Sequence, residues 1–420
     1  MWMRICIGLV LCTTLAYANM EGYEGYKKYT IQHDNEDVFQ YMVDLQTNDT
    51  NLDFWLLTRN VSIVSVAPFM QPILESQLES MGTPYVAKPL MDEMFLDGLY
   101  DEGCSDSDGS LCPLKRKTRQ ASGFFRYYPR YDAILQYMNA LAQRYPQYAK
   151  LEALGRSVEG RIVAGLSISL NGRRDRKAAY IQGGTHGREW ITTPTVLYFA
   201  AEILANINAF RSILRDTEIY VVPLMNPDGY EYSHTTDRFW RKNRHRFALR
   251  SCVGVDINRN FGHYWNYKGS SQNHCSEVFS GLTPNSEPET QAVKRYLDRN
   301  RNRVKLVLDV HSFGKFLFYP YGFTKAAPPT RNLLHSIAVR AATQIAKYRG
   351  TVYTIGSSSN ILYEASGGLD DYAYGALGIP LTYTLELPGN GFDYPASDLI
   401  HVCKETFAGY VEFVRHVALY

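Results

Sequence analysis

The 420-residue chain lacks the features that mark several large classes of protein. It has no low-complexity segment and no Cys-x-x-Cys pair, and 44 Lys and Arg against 42 Asp and Glu leave a net charge of only +2. So even a balance gives no electrostatic reason to expect nucleic acid as a partner. The missing Cys-x-x-Cys argues against sulfur as a metal ligand. Beyond the N-terminus no apolar run reaches the ~20 residues that cross a bilayer, so no membrane span is expected. What remains is a soluble, globular composition rich in aromatics, 32 of them tyrosine, in a chain long enough for one large domain and a smaller one.

The N-terminus carries Arg4, an apolar stretch from Ile5 to Leu15 and the small-x-small triplet Ala16-Tyr17-Ala18. That order reads as a secretory signal over residues 1–18. The alternative, an N-terminal anchor, asks for a longer run. A secreted, extracellular protein follows. Cys6 and Cys12 leave with the signal, and Cys104, Cys112, Cys252, Cys275 and Cys403 remain, an odd set for an oxidising compartment. Cys104 with Cys112, and Cys252 with Cys275, are close enough in sequence to be local pairs. Cys403 is then left as a thiol.

From residue 19 to about residue 91 the pattern reads strand, helix, strand, strand, helix, strand: 26–32, 37–45, 52–57, 61–67, 70–81 and 84–88. This is the ferredoxin-like β-α-β-β-α-β order. Two glycosylation triplets, Asn48-Asp49-Thr50 and Asn60-Val61-Ser62, lie within it. An acidic stretch (97–108) and a basic one (Lys115-Arg116-Lys117-Thr118-Arg119) follow, an exposed place where a chain is easily nicked. It reads either as a plain solvated linker or as an activation site for a trypsin-like protease, ending at Arg119. Residues 120–420 then alternate helices (132–144, 194–206, 287–300, 331–349, 404–418) with strands (162–169, 178–181, 218–223, 304–310, 380–387). The expectation is an α/β domain: a mixed, mostly parallel central sheet with helices on both faces, preceded by the small α+β unit.

Ligands in such folds sit at the carboxyl ends of strands. His186 and Glu189 fall on a glycine-loosened turn after one strand, and His311 ends another. A histidine and a carboxylate three residues apart can converge on one cation, and zinc takes nitrogen and oxygen ligands, usually three from the protein in a catalytic site. Each signal alone also has a plain reading. His-x-x-Glu arises by chance, and a strand-end histidine is often structural. Glu386, in an alternating strand, is either a desolvated general base or an edge carboxylate facing water. The Asp256–Asn260 cluster and Arg238-Phe239-Trp240-Arg241-Lys242 offer arginines that grip a carboxylate, or that merely face solvent.

Together these residues resemble the zinc metallocarboxypeptidases of the pancreatic A/B type, the funnelins, along almost the whole chain. Gly184-Thr185-His186-Gly187-Arg188-Glu189-Trp190 is similar to that family's zinc motif. The run from Gly254 to Asn260 resembles its substrate-carboxylate motif, and Arg238 to Lys242 its catalytic-arginine motif. His311-Ser312, the run from Tyr363 to Gly368, and the Glu386 strand follow in the family's order. The resemblance implies the zinc carboxypeptidase fold and one Zn²⁺ held by His186, Glu189 and His311, with Asp256 orienting His186. It implies that Glu386 takes a proton from zinc-bound water, that Arg241 stabilises the oxyanion, and that Asn258, Arg259 and Tyr363 hold the substrate's free C-terminal carboxylate. Arg188 would line the approach, and Cys252 would pair with Cys275. The N-terminal unit (19–119), which includes Leu52-Asp53-Phe54-Trp55, would be an inhibitory prodomain, and 120–420 the catalytic domain. Implied partners are peptides and proteins with free C-termini, a trypsin-like activating protease and the chain's own prodomain, on a monomeric enzyme. The loops most resemble insect gut procarboxypeptidases, which implies digestion in a gut lumen.

Asp370, in Gly367-Gly368-Leu369-Asp370-Asp371, aligns with the base of the family's side-chain pocket, where an aspartate implies the B type, selective for C-terminal Lys or Arg. A carboxylate in a closed pocket favours a cation and penalises apolar groups. Ser358, where the A type is bulky and apolar, fits a polar pocket. Competing expectations are an A-type enzyme for apolar C-termini and a non-catalytic secreted binding module. Four departures from the family stand out: one extra residue between Asp370 and Glu386, an uncharged turn after Leu387, Phe313 where tyrosine is common, and Cys403, which has no partner in the family's simplest pattern.

Overall fold

The computed structural model describes residues 22–93, 121–170, 176–248 and 251–420. The expected signal, the linker with Arg119, and the Cys104/Cys112 pair lie outside the described residues. The N-terminal unit has strands β1 (Lys27–Gln32), β2 (Leu52–Leu57), β3 (Val61–Val66) and β4 (Tyr85–Pro89), with helices Glu36–Asn48 and Gln71–Ser80 between them. Their order is β2-β3-β1-β4, all neighbours antiparallel, which is the ferredoxin-like arrangement. Asn35 caps the first helix by accepting the Asp37 N–H at 2.7 Å. Tyr29, Ile31, Val64 and Val66 point to one face of the sheet and bury Val38, Met42, Leu74 and Leu78 from the two helices.

The larger unit is built on eight strands. These are β5 (Ala149–Arg156), β6 (Ile162–Ile168), β7 (Lys177–Gln182), β8 (Thr217–Val222), β9 (Val304–Ser312), β10 (Phe316–Tyr319), β11 (Thr354–Ser357) and β12 (Leu381–Leu387). Their order is β11-β10-β12-β9-β7-β8-β6-β5. The central strands β12, β9, β7 and β8 are mutually parallel, and antiparallel pairs occur toward the edges. Side chains alternate across a strand, so each central strand feeds two cores. Ala179, Ile181, Ile219, Val221, Leu306 and Leu308 pack under helices Tyr131–Arg144, Thr192–Ala205, Arg331–Arg349 and Ala396–Val417. Ala178, Tyr180, Tyr220, Val222 and Val307 pack on the other face, under helix Pro288–Asn300 and the Leu369–Ala373 segment. Near-continuous hydrophobic strands are what burial on both faces requires.

Three differences from the sequence expectation have physical reasons. Strands β5, β10 and β11 are additional, two of them only four residues long and the third half-exposed at the sheet edge. The C-terminal helix begins at Ala396, not 404, because Leu399, Val402 and Cys403 extend its buried stripe one more helical stretch upstream. Between Asp370 and β12, where the sequence pattern suggests no helix, packing of Tyr372 and Ala373 into the core holds a π-helical turn, Tyr372–Ala376. No described helix is long and apolar enough to cross a membrane.

Candidate active site

The carboxyl ends of three neighbouring parallel strands, β7, β9 and β12, meet at one point. After β7 the chain turns before helix Thr192–Ala205, and this turn carries His186 and Glu189. Gly184 stands at φ +65°, where any Cβ would lie 2.6 Å from Leu224 Cδ1. At Gly187 a Cβ would fall 2.4 Å from the Gly229 carbonyl oxygen, while the Gly187 N–H donates to the Arg241 carbonyl at 3.0 Å. The Thr192 hydroxyl closes the turn, accepting the Gly184 N–H at 2.9 Å and donating to the Glu189 carbonyl at 2.8 Å. Trp190 is packed between the His234 ring, 3.7 Å away, and the Arg238 guanidinium, 3.6 Å away. Arg238 thus braces the turn from behind; its Nη1 donates to the Arg188 carbonyl at 2.9 Å.

His186, Glu189 and His311 are all buried, and their ligating atoms lie within 4.8 Å of one another. Glu189 Oε1 is 2.6 Å from His186 Nδ1 and Oε2 is 3.0 Å from His311 Nδ1. Two ligands each about 2.0–2.1 Å from a tetrahedral zinc stand about 3.3 Å apart. The two Nδ1 atoms stand 3.3 Å apart. The outer nitrogens are turned to carboxylates: His186 Nε2 is 3.1 Å from Asp256 Oδ1, and His311 Nε2 is 2.9 Å from Asp309 Oδ2, though out of line for a hydrogen bond. Such outer partners leave each Nδ1 lone pair facing inward. Burial works against ionising Glu189, but the two imidazoles outweigh it and hold the carboxyl well below its usual range. Burial likewise opposes charge on His311, yet Asp309 and Glu189 pull its pKa well up. A site that concentrates this much negative potential on two imidazoles suits a cation, and the donor set fits zinc.

Asp256 is fully buried and joins two parts of the site. It faces His186 with one oxygen and accepts from Arg241 Nε and Nη2 with the other, at 3.1 and 2.9 Å. The Asn258 N–H donates to it at 2.9 Å. Arg259 donates to the Gly269 and Asn258 carbonyls at 2.9 and 3.0 Å and to the Tyr363 hydroxyl at 2.9 Å, so Arg259 and Tyr363 act as one rigid pair. Asn258 Oδ1 accepts the Leu369 N–H at 3.1 Å, tying this cluster to the Asp370 loop. Glu386 lies opposite His311 in the β12–β9 register. It is half-open to the cleft and enclosed by protein elsewhere. Burial, then the charges of Glu189 and Asp309, push its pKa up to about 8 against the pull of His311 and Arg241.

Asp370 and Asp371 part company. Asp371 accepts the Gly322 N–H at 3.0 Å and the Phe323 N–H at 2.8 Å, and serves the backbone. Asp370, 8% exposed, lines the cleft with Gly322, Ser358, Leu362 and Thr384, and burial raises its carboxyl pKa. Cys252 and Cys275 are disulfide-bonded, with Cα atoms 5.1 Å apart, and Cys403 is a free, buried thiol.

The N-terminal unit forms the remaining wall of this cleft. Gln46, Phe54, Trp55, Leu56 and Leu57 line it from above. Trp55 packs against Phe239 and Phe392, at 4.6 and 5.4 Å between ring centroids. Arg188, only 1% exposed, donates from Nη1 to both Asp53 oxygens at 2.8 and 2.6 Å, with its guanidinium over Phe392 at 4.3 Å. Sequence reasoning named neither Asp53 nor Asp309 as part of the site. Asp309 was accessible to it, being two residues before His311 on the same face of one strand. Asp53 was not, because its partner lies 135 positions away.

Residues 134–409 match the family model described as zinc carboxypeptidase. The chain is 38% identical over 286 residues to carboxypeptidase B of Astacus astacus, an alignment covering 67% of this chain and 94% of that protein. It is 32% identical over 406 residues to carboxypeptidase A4 of Mus musculus, covering 94% of each. Its structure resembles the crystal structure of carboxypeptidase A from Helicoverpa armigera, with a TM-score of 0.83, 30% identity, and coverage of 95% of this chain and 98% of that one.

Proposed function

The chain belongs to the zinc carboxypeptidase family and is a metallocarboxypeptidase, and on that premise we propose that it is a secreted precursor whose mature form removes C-terminal Lys or Arg from peptides and proteins. The observation that carries the specificity is the Asp370 carboxylate, nearly buried in the wall of the cleft that also holds His186, Glu189 and His311. Asp370 Oδ1 accepts one backbone amide, the Asp371 N–H at 2.9 Å, and a buried carboxylate with no cation beside it is satisfied by a guanidinium or ammonium and costs free energy beside an apolar side chain.

In this reading Arg259, Tyr363 and Asn258 receive the substrate's terminal carboxylate, which limits cleavage to the last peptide bond. The Asp256-anchored guanidinium of Arg241 stabilises negative charge developing on the scissile carbonyl oxygen. Glu386 takes the proton of the attacking water and delivers it to the leaving amine, a task suited to a carboxylate whose pKa burial has raised. Zinc held by His186, Glu189 and His311 would supply Lewis acidity and make water a nucleophile near neutral pH. The N-terminal unit acts as an inhibitory prodomain: it roofs the cleft and occupies Arg188 through Asp53. A trypsin-like protease cutting after Arg119 releases it.

A second reading, apolar C-termini, draws on Phe316, Phe318 and Leu362 in the same lining. Asp370→Asn separates the two. With the trypsin-treated protein, kcat/KM for hippuryl-Arg should fall on the order of 10²–10³-fold while zinc content is retained, the cost of losing a buried charge pair. Unchanged Arg hydrolysis would refute the assignment of Asp370.

A further inference from the structure

Peptide hydrolysis makes no use of the two glycosylation triplets, which both lie in the N-terminal unit. Asn48-Asp49-Thr50 and Asn60-Val61-Ser62 are the only Asn-x-Ser/Thr triplets in the 420 residues. Asn48 ends helix Glu36–Asn48, and Asn60 lies in the turn between β2 and β3. Both side chains are exposed. The backbone around Asn60 is fixed: the Thr58 N–H donates to the Val61 carbonyl, and the Asn60 carbonyl accepts the His33 N–H, both at 2.9 Å. Yet neither Asn48 nor Asn60 uses its side-chain amide in a hydrogen bond among the described residues. Asn35, Asn226, Asn243 and Asn260, by contrast, all commit theirs to caps or buried braces.

The strand between the two acceptors is β2, the edge strand of the four-stranded sheet, reading Leu-Asp-Phe-Trp-Leu-Leu. In the intact chain Leu52, Phe54 and Leu57 are buried in the N-terminal unit's own core, whereas Trp55, with Leu56 beside it, packs against Phe239, Phe313 and Phe392 of the larger unit. Once the unit is cut away, Trp55 and Leu56 lose that cover, on an edge strand that carries one charge in six residues. A short, β-prone, nearly uncharged edge strand pairs readily with another copy. Natural chains place bulky or polar gatekeepers beside such strands, and an N-linked oligosaccharide is both bulky and solubilising.

We propose that Asn48 and Asn60 carry N-linked oligosaccharides that bracket β2 at its two ends. The carbohydrate leaves with the N-terminal unit and keeps the uncovered strand from pairing, while the mature enzyme is bare. The proposal rests on the reading of the chain as a secreted, protease-released precursor.

The test uses the full chain expressed in a eukaryotic secretory host, with Asn48→Gln, Asn60→Gln and the double variant. Two separate mobility steps on treatment with peptide N-glycosidase are expected, one lost in each single variant and both in the double. After limited trypsin cleavage the shift should stay with the N-terminal fragment. Light scattering should then rise for the cleaved double variant and stay flat for the cleaved parent, with equal peptidase activity in both. Chain recovered from the medium without any shift overturns the glycosylation and leaves secretion standing. Chain retained in the cytosol without a shift overturns both. Glycans present, but a cleaved double variant as soluble as the parent, overturn the shielding role.

Discussion

Replacing Asp53 by Asn should make the uncut chain measurably active. Arg188 is 1% exposed, and among the described residues its ion pair is with Asp53, through Nη1 to both oxygens at 2.8 and 2.6 Å. Trp55 Nε1 holds the same carboxylate at 2.8 Å. Breaking a fully buried ion pair by removing one partner costs about 3–5 kcal/mol. Asp53, however, is 24% exposed at its side chain, so water recovers part of that loss. An order-of-magnitude value is about 2–3 kcal/mol, a roughly 30- to 150-fold shift toward the undocked state. The aromatic contacts of Trp55 with Phe239 and Phe392 remain, so the unit should stay folded and docked most of the time. The assay is initial rate on a small Arg-terminated substrate with the linker intact, divided by the rate of the same sample after trypsin. That ratio should rise by the same 30- to 150-fold, up to full activity, while the trypsin-treated rates of the two proteins agree, because Asp53 leaves with the fragment. A ratio unchanged from the parent would show that Arg188–Asp53 contributes nothing to latency.

Three further outcomes test the chemistry. Glu386→Gln should lower kcat about 10²- to 10⁴-fold with zinc still bound. In the parent, burial raises the Glu386 pKa to about 8, and a bound dication favours the carboxylate and draws it back. Since the base works deprotonated, kcat/KM should rise with pH through an acid limb between about 4.3, the unperturbed value, and about 8; a limb outside that window would contradict the role of Glu386. Asp256→Asn should weaken zinc binding by about 10- to 100-fold, measured by competition with a chelator, because His186 loses the acceptor on its outer nitrogen. Unaltered affinity would mean that Asp256 serves Arg241 alone.

Much of the candidate site was legible because its residues sit in short local runs at strand ends. His186 and Glu189 share one turn, and Asp256, Asn258 and Arg259 share another. Alternating α/β periodicity was also strong wherever strands were buried on both faces, as in β7, β8 and β9. It failed where burial was partial or elements were short. β11, Thr-Ile-Gly-Ser, has neither apolar alternation nor length. Helix Pro227–Thr235 begins Pro-Asp-Gly and is held by the Asn226 cap and by packing, not by propensity. The docking of Asp53 on Arg188 depends on how two separately patterned units meet, and no periodicity encodes that. The resemblance to a family supplied the roles that spacing alone left open, such as which of Asp370 and Asp371 faces the cleft.

The most direct measurement is the ratio of kcat/KM for hippuryl-Arg to that for hippuryl-Phe, taken on the trypsin-treated chain with and without a zinc chelator. A ratio of at least about 100 is expected, from one desolvated charge pair at Asp370, with loss of both activities on chelation that zinc restores. A preference for Phe would contradict the basic specificity, and chelator-resistant hydrolysis would contradict the zinc site itself.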